Sequence, residues 1–273
     1  MLEGLRVVAI AANLPGPLAA ARLRALGAAV TKIEPLRGDP LADAAPSWYQ
    51  AIVAGMEILQ FDLHAPEAKS LVAERLREAD LLLTSMRPQA LTKAELDWTT
   101  LHGRYPRLCA IALIGQPPPN DDRAGHDLTY QAAVGTIVPP ALPRVLVADM
   151  AAAERAVSVA LALLLRRERS GDAGFASVAI TEVAQDFAAP YRHGLTREGG
   201  VLGGALPAYN VYAARDGWVA VAALEPHFAQ RLLAMLEIER PDAEAIAAVF
   251  ARRPAQEWET LAQHHDLPLA ALR

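Results

Sequence analysis

The sequence predicts a doubly wound, mostly parallel α/β sheet in a large domain, followed by a smaller α+β domain. Three observations carry this. Strand-like runs at residues 5–11, 30–34, 57–63, 80–84 and 107–114 alternate with stretches of helical periodicity. Past Arg6 and Arg107, the runs at 5–11 and 107–114 are continuously apolar, the mark of parallel strands covered on both faces. The pattern then changes: 210–214 and 218–223 flank Arg215-Asp216-Gly217, a hairpin signal, and three amphipathic stretches follow. Residues 190–204, with Tyr191, Arg192, His193 and several glycines, read as a linker. The expected division is a large domain at 1–189 and a small one at 205–273.

Taken in order, Pro15-Gly16-Pro17 ends the first strand, and 18–26 is a helix stopped by Gly27. The turn between them lacks Gly-x-Gly-x-x-Gly and no Gly-Lys-Ser/Thr loop occurs, so a Rossmann-like arrangement here does not imply NAD or ATP. Pro66 opens a helix at 67–79, with acids early and Arg75 and Arg77 late. The polar loop Pro117-Pro118-Pro119-Asn120-Asp121-Asp122 leads to Gly125-His126-Asp127 and a helix at 128–134. Val147-Ala148-Asp149 then precedes a long helix at 150–167, ending in Arg166-Arg167-Glu168-Arg169, which reads as a solvated helix end. A strand at 175–180 and a helix at 182–188 complete the large domain. Helices at 224–236, 243–251 and 254–264 belong to the small one.

The chain has 273 residues and 53% hydrophobic content, enough for a substantial core, and its net charge of −5 offers no basic field for nucleic acid. The single Cys109 lies in the apolar run 108–113 and reads as a packing residue in a reducing, cytoplasmic setting. The first six residues lack the features of a signal peptide, and the longest apolar run, 156–165 with only Ser158 breaking it, is about half the roughly 20 residues of a membrane span. His264-His265-Asp266 lacks helical ligand spacing, so no metal is expected.

His126 and Asp149 stand at either side of one loop-and-helix unit, an imidazole and a carboxylate suited to moving a proton near neutrality. By themselves, Asp127 and Asp149 also fit plain N-caps of their helices. The order Leu14-Pro15-Gly16-Pro17, Lys32-Ile33-Glu34, Phe61-Asp62-Leu63, Arg87-Pro88 and Gly125-His126-Asp127 resembles the family III CoA-transferases along nearly the whole chain. Gly203-Gly204-Ala205-Leu206-Pro207-Ala208-Tyr209 and Leu224-Glu225-Pro226-His227-Phe228 resemble its 2-methylacyl-CoA racemase branch, as does His126 where transferases usually carry Tyr.

The resemblance implies the CoA-transferase III fold, an acyl-CoA substrate, no prosthetic group and a homodimer. It implies 1,1-proton transfer on a 2-methyl-branched acyl-CoA by His126 and Asp149, with Glu225 tuning His126. It implies CoA contacts from Arg37, Arg87, Pro88 and Asp127. Two alternatives stand beside this: a CoA-transferase forming a thioester on Asp149, and a degraded relative acting as a binding or regulatory protein. Several departures bear on them. Ala54-Gly55-Met56-Glu57-Ile58 replaces a basic stretch that holds CoA phosphates in relatives, and Glu57 would repel them. Ala151, Ala152 and Ala153 replace glycines and are expected to narrow the space beside the helix start. Gln89 replaces a glycine after Arg87-Pro88, and the C-terminal return to the large domain is expected to be missing.

Overall fold

The structure is a computed structural model and describes residues 1–63 and 65–272. It forms two compact units, Met1–Ala188 and Ala189–Arg273.

In the first unit, strands β1 (Arg6–Ile10), β2 (Ala29–Glu34), β3 (Glu57–Gln60), β4 (Leu81–Thr84), β5 (Cys109–Ile114) and β6 (Phe175–Ala179) form one sheet. Its order is β3-β2-β1-β4-β5-β6 and every neighbouring pair is parallel. Strand order therefore reverses between β1 and β4, the place where open α/β sheets leave a crevice at their carboxyl ends. The connecting helices are α1 (Pro15–Ala25), α2 (Pro40–Ala44), α3 (Pro46–Val53), α4 (Pro66–Glu78), α5 (Pro88–Lys93), α6 (Trp98–Arg104), α7 (Asp127–Val134), α8 (Val147–Ser170) and α9 (Ile180–Phe187). One core lies between the sheet and α1, α3, α8 and α9; the other lies under α4, α5 and α6.

The second unit contains α10 (Ala189–Arg192), the sheet β7 (Tyr209–Ala213), β8 (Trp218–Ala222) and β9 (Leu269–Ala271), and helices α11 (Pro226–Leu236), α12 (Ala243–Phe250) and α13 (Ala255–His264). Its sheet is antiparallel throughout, with β8 central. Ile246, Phe250 and Trp258 fill its own core. No helix among the described residues is long and apolar enough to cross a membrane.

Several sequence expectations are corrected. Pro15-Gly16-Pro17 does not merely end a strand: it is the first turn of α1, where proline's missing N–H costs nothing. The helix expected at 150–167 begins at Val147, placing Asp149 inside its first turn and not at its cap. Arg167 is not solvated. It is 3% exposed, pairs with Asp80 at 2.9 Å and donates to the Arg107 carbonyl at 3.1 Å, tying the end of α8 to the amino ends of β4 and β5. Cys109 is buried in the core, as its apolar run leads one to expect.

A buried ionic cluster shapes the loop after β1. Lys32, on the central part of β2, is fully buried; its ammonium donates to Asp39 at 2.8 Å and to Glu34. Glu34 also accepts from Tyr49 and from Gln60 at 3.1 Å. Burial pushes the Glu34 pKa up, but the hydrogen bonds from Lys32, Tyr49 and Gln60 outweigh it and hold the group below the usual range. The other Asp39 oxygen accepts the N–H groups of Asn13 and Leu41, both at 3.0 Å. Asn13 has φ 68°, a left-handed conformation that Asn tolerates better than most residues, and Asp39 holds it there. Asp39→Ala removes one of two counter-charges from a buried ammonium and the acceptor of the Asn13 N–H. We expect a stability loss of about 3 kcal/mol or more, read as a lowered denaturant midpoint; an unchanged midpoint would show that the cluster does not hold this region together.

Candidate active site

A cavity of about 200 Å³ opens at the carboxyl ends of β1, β4 and β5, at the reversal of strand order. Asn13 reaches it from the loop after β1, Ser85 and Arg87 from the loop after β4, and Gly115 from the end of β5. His126, Tyr130 and Asp149 complete the part of its wall that carries chemistry.

Asp149 is half-buried in the first turn of α8, and its own N–H donates to Asp127 at 3.0 Å. Asp127 is the first residue of α7 and is 4% exposed. Its second oxygen accepts from Gln131 at 2.5 Å, and Gln131 donates as well to the Val145 carbonyl at 3.0 Å. One carboxylate thus joins α7, the approach to α8 and α8 itself. Burial, and then the nearby Asp127 charge, push the Asp149 pKa up to about 7. A carboxyl in that range supplies both a poorly hydrated carboxylate and a neutral acid near neutral pH.

His126, not Asp127, is the N-cap of α7. Its carbonyl accepts the Thr129 N–H at 2.9 Å, and the Thr129 hydroxyl accepts the His126 N–H at 3.1 Å. The side chain is exposed and lines the cavity. Arg87 is the N-cap of α5, and no ion pair engages it among the described residues. Arg123 also lines the cavity, so two arginines contribute to a wall that includes Asp149.

The sequence model of CoA-transferase family III matches residues 2–273. The chain belongs to that family. This family III chain is 29% identical to succinyl-CoA–D-citramalate CoA-transferase of Chloroflexus aurantiacus, over 81% of its own length and 61% of the relative's. It is 32% identical to succinate–glutarate CoA-transferase of Agrobacterium fabrum, over 67% of itself and 51% of the relative. It therefore spans about half to three-fifths of the length of these curated relatives. A hypothetical protein of Mycobacterium tuberculosis shares the fold, with a TM-score of 0.85, 24% identity, and coverage of 99% of this chain and 85% of that one. A CaiB/BaiF family protein from Brucella suis does so with a TM-score of 0.81 and 19% identity, over 100% and 84%.

Of the site residues expected from sequence, the structure gathers His126, Asp149 and Arg87 around the cavity of this family III chain. Asp127 is not one of its lining residues, because both its oxygens are taken by protein donors. Pro88 opens α5 and faces a separate, largely apolar cavity with Leu91 and Trp98. Arg37 is exposed on the turn after β2 and lies outside the lining. Glu225 is the exposed N-cap of α11 in the second unit. The alanines expected to crowd the helix start do not line the cavity: Ala151, Ala152 and Ala153 are all buried in the core. Glu57 is not a bare negative charge, since Arg75 pairs with it at 3.0 Å and Thr31 donates to it at 2.7 Å. Sequence reasoning missed Asn13, Ser85 and Tyr130. Tyr130 had one legible signal: it stands one helical turn after His126.

Because Asp149 titrates near 7 when folded and near its ordinary 3.8 when unfolded, the folded state holds the extra proton between those values, and stability falls as pH rises across that window. Asp149→Asn removes the strained charge. Its melting temperature should exceed the wild type's at pH 8 and approach it at pH 5; a variant less stable at pH 8 than at pH 5, relative to wild type, would contradict the raised pKa.

Proposed function

We propose that this chain transfers CoA between a CoA thioester and a carboxylic acid, with the Asp149 carboxylate as the group that carries first the acyl and then the CoA. The observation that carries the reading is a half-buried carboxyl with a pKa near 7 in a cavity flanked by two arginines. A partly dehydrated carboxylate is a better nucleophile than a solvated one. Its oxygen attacks the thioester carbonyl, the C–S bond breaks, and CoA leaves as a thiolate with a mixed anhydride on Asp149. The thiolate then attacks the Asp149 carbonyl, releasing the first acid and leaving an aspartyl-CoA thioester. The second acid's carboxylate attacks that thioester and expels CoA thiolate, leaving a second mixed anhydride; the thiolate then attacks its substrate-side carbonyl, which forms the new CoA thioester and releases the Asp149 carboxylate. Arg87 and Arg123 offer positive charge to phosphates or to a substrate carboxylate. The relatives named above as CoA-transferases acting with succinyl-CoA or succinate support this class and make a small dicarboxylic acid the first acceptor to try.

One observation favours a second reading, racemisation of a 2-methylacyl-CoA. His126 shares the cavity with Asp149, and two proton-transfer groups on one chamber are what exchange at the α-carbon needs. Both readings are settled by one pair of assays. Incubation with succinyl-CoA followed by hydroxylamine should leave a hydroxamate on Asp149, seen by peptide mass spectrometry. The transfer rate at low substrate should rise with pH through about 7 as Asp149 ionises. Incubation of (2R)- and (2S)-2-methylacyl-CoA in D₂O reads the alternative. Deuterium at the α-carbon without an Asp149 adduct would replace the transferase reading with the racemase one, and neither signal would overturn both.

A further inference from the structure

Tyr130 is the buried wall residue whose polar group the fold leaves unexplained. It is 5% exposed, yet its hydroxyl has no protein hydrogen-bond partner among the described residues, and the residue lines the cavity. A buried tyrosine hydroxyl ordinarily finds a partner, so an unpaired one facing a cavity points to a ligand.

The fold holds that hydroxyl in place by omission of side chains. A Cβ at Gly125 would come within 2.5 Å of the Tyr130 ring at Cε1 and 2.6 Å of its hydroxyl, and one at Gly115 would overlap the hydroxyl. Neither glycine has the positive φ that would demand it for backbone reasons. Both make room for the phenol, one from the end of β5 and one from the loop before α7.

The reaction supplies the need. As a nucleophile reaches a thioester carbonyl, charge gathers on the oxygen, and a donor fixed in advance stabilises it. The backbone N–H of Asp149 cannot serve, because Asp127 already accepts it. We propose that the Tyr130 hydroxyl is a catalytic residue that donates a hydrogen bond to the carbonyl oxygen of the CoA thioester. This rests on the cavity being the thioester site. Burial, and then the Asp149 charge, push the phenol pKa up, which keeps the hydroxyl protonated and able to donate.

The test is Tyr130→Phe in the full chain, which keeps the ring between its two glycines. Transfer from succinyl-CoA should lose about 100-fold in kcat with KM changed by less than about threefold, at an unchanged melting temperature. A kcat within about twofold of wild type would overturn the proposal. A second readout does not depend on turnover: calorimetric affinity for succinyl-CoA against S-(3-carboxypropyl)-CoA, the thioether that lacks the carbonyl, with Asp149→Ala as background. The variant lacking only Asp149 should prefer the thioester, and adding Tyr130→Phe should erase that preference; a preference that survives also overturns the proposal. Should Tyr130→Phe fail to fold, site-specific 3-fluorotyrosine preserves the packing and lowers the phenol pKa, and a pH–rate profile that does not move would overturn it equally. Binding of neither compound, with no transfer, would instead overturn the thioester reading of the cavity and the role of Tyr130 with it.

Discussion

The carboxylate of Asp127 is the interaction on which the candidate-site end of the first unit depends. It is the first residue of α7, where the positive end of the helix dipole favours a negative group, and it accepts the Asp149 N–H from the first turn of α8. Two helix starts therefore converge on one buried charge, and Gln131 closes the remaining oxygen. The same charge raises the pKa of Asp149. Burial is the larger cause of that rise, so the group that fixes where the Asp149 carboxyl sits also contributes to when it ionises.

The far end of α8 is held with equal firmness. Arg167 reaches Asp80 and the Arg107 carbonyl, and between the two ends Ala148, Ala152, Ala156 and Ala160 lie against the core with almost no exposure. Small side chains let the helix backbone approach the sheet closely, so a shift along the helix axis would break contacts along its whole length. The placement of Asp149 is thus a property of a 24-residue helix and not only of its first turn.

Much of this was legible in the sequence and some was not, for reasons that are physical. The parallel strands announced themselves because burial on both faces demands continuous apolar runs, as in β1 and β5, where Val7 to Ile10 and Cys109 to Ile114 are all buried. His126, Asp149 and Arg87 were found because they sit in short motifs with a family resemblance. Helices α2, α3 and α5 were hidden, since each opens on a proline and then runs too briefly, 5, 8 and 6 residues, to show the helical periodicity that revealed the 13-residue α4 behind Pro66. Strand β9 is three residues long and takes its identity from pairing with β8. Arg167 sits in a charged run whose other members are solvated, and only tertiary contact distinguishes it. Tyr130 was passed over because an aromatic on a helix reads first as core, and the two glycines that frame it are distant in sequence from each other but adjacent to it in space.

The ionic cluster around Lys32 has a consequence for how substitutions in this protein are interpreted. Asp39 holds the Asn13 backbone in its left-handed conformation, and Asn13 lines the cavity. That stretch is already ordered before anything enters, so a ligand meeting it spends no free energy on freezing it. A change at Lys32 or Tyr49, both buried and neither lining the cavity, would release the loop and surface as weaker ligand affinity. In a mutational survey these interior positions would be mistaken for contact residues, although their effect is to impose on the ligand the entropy of ordering a loop that the fold now keeps fixed.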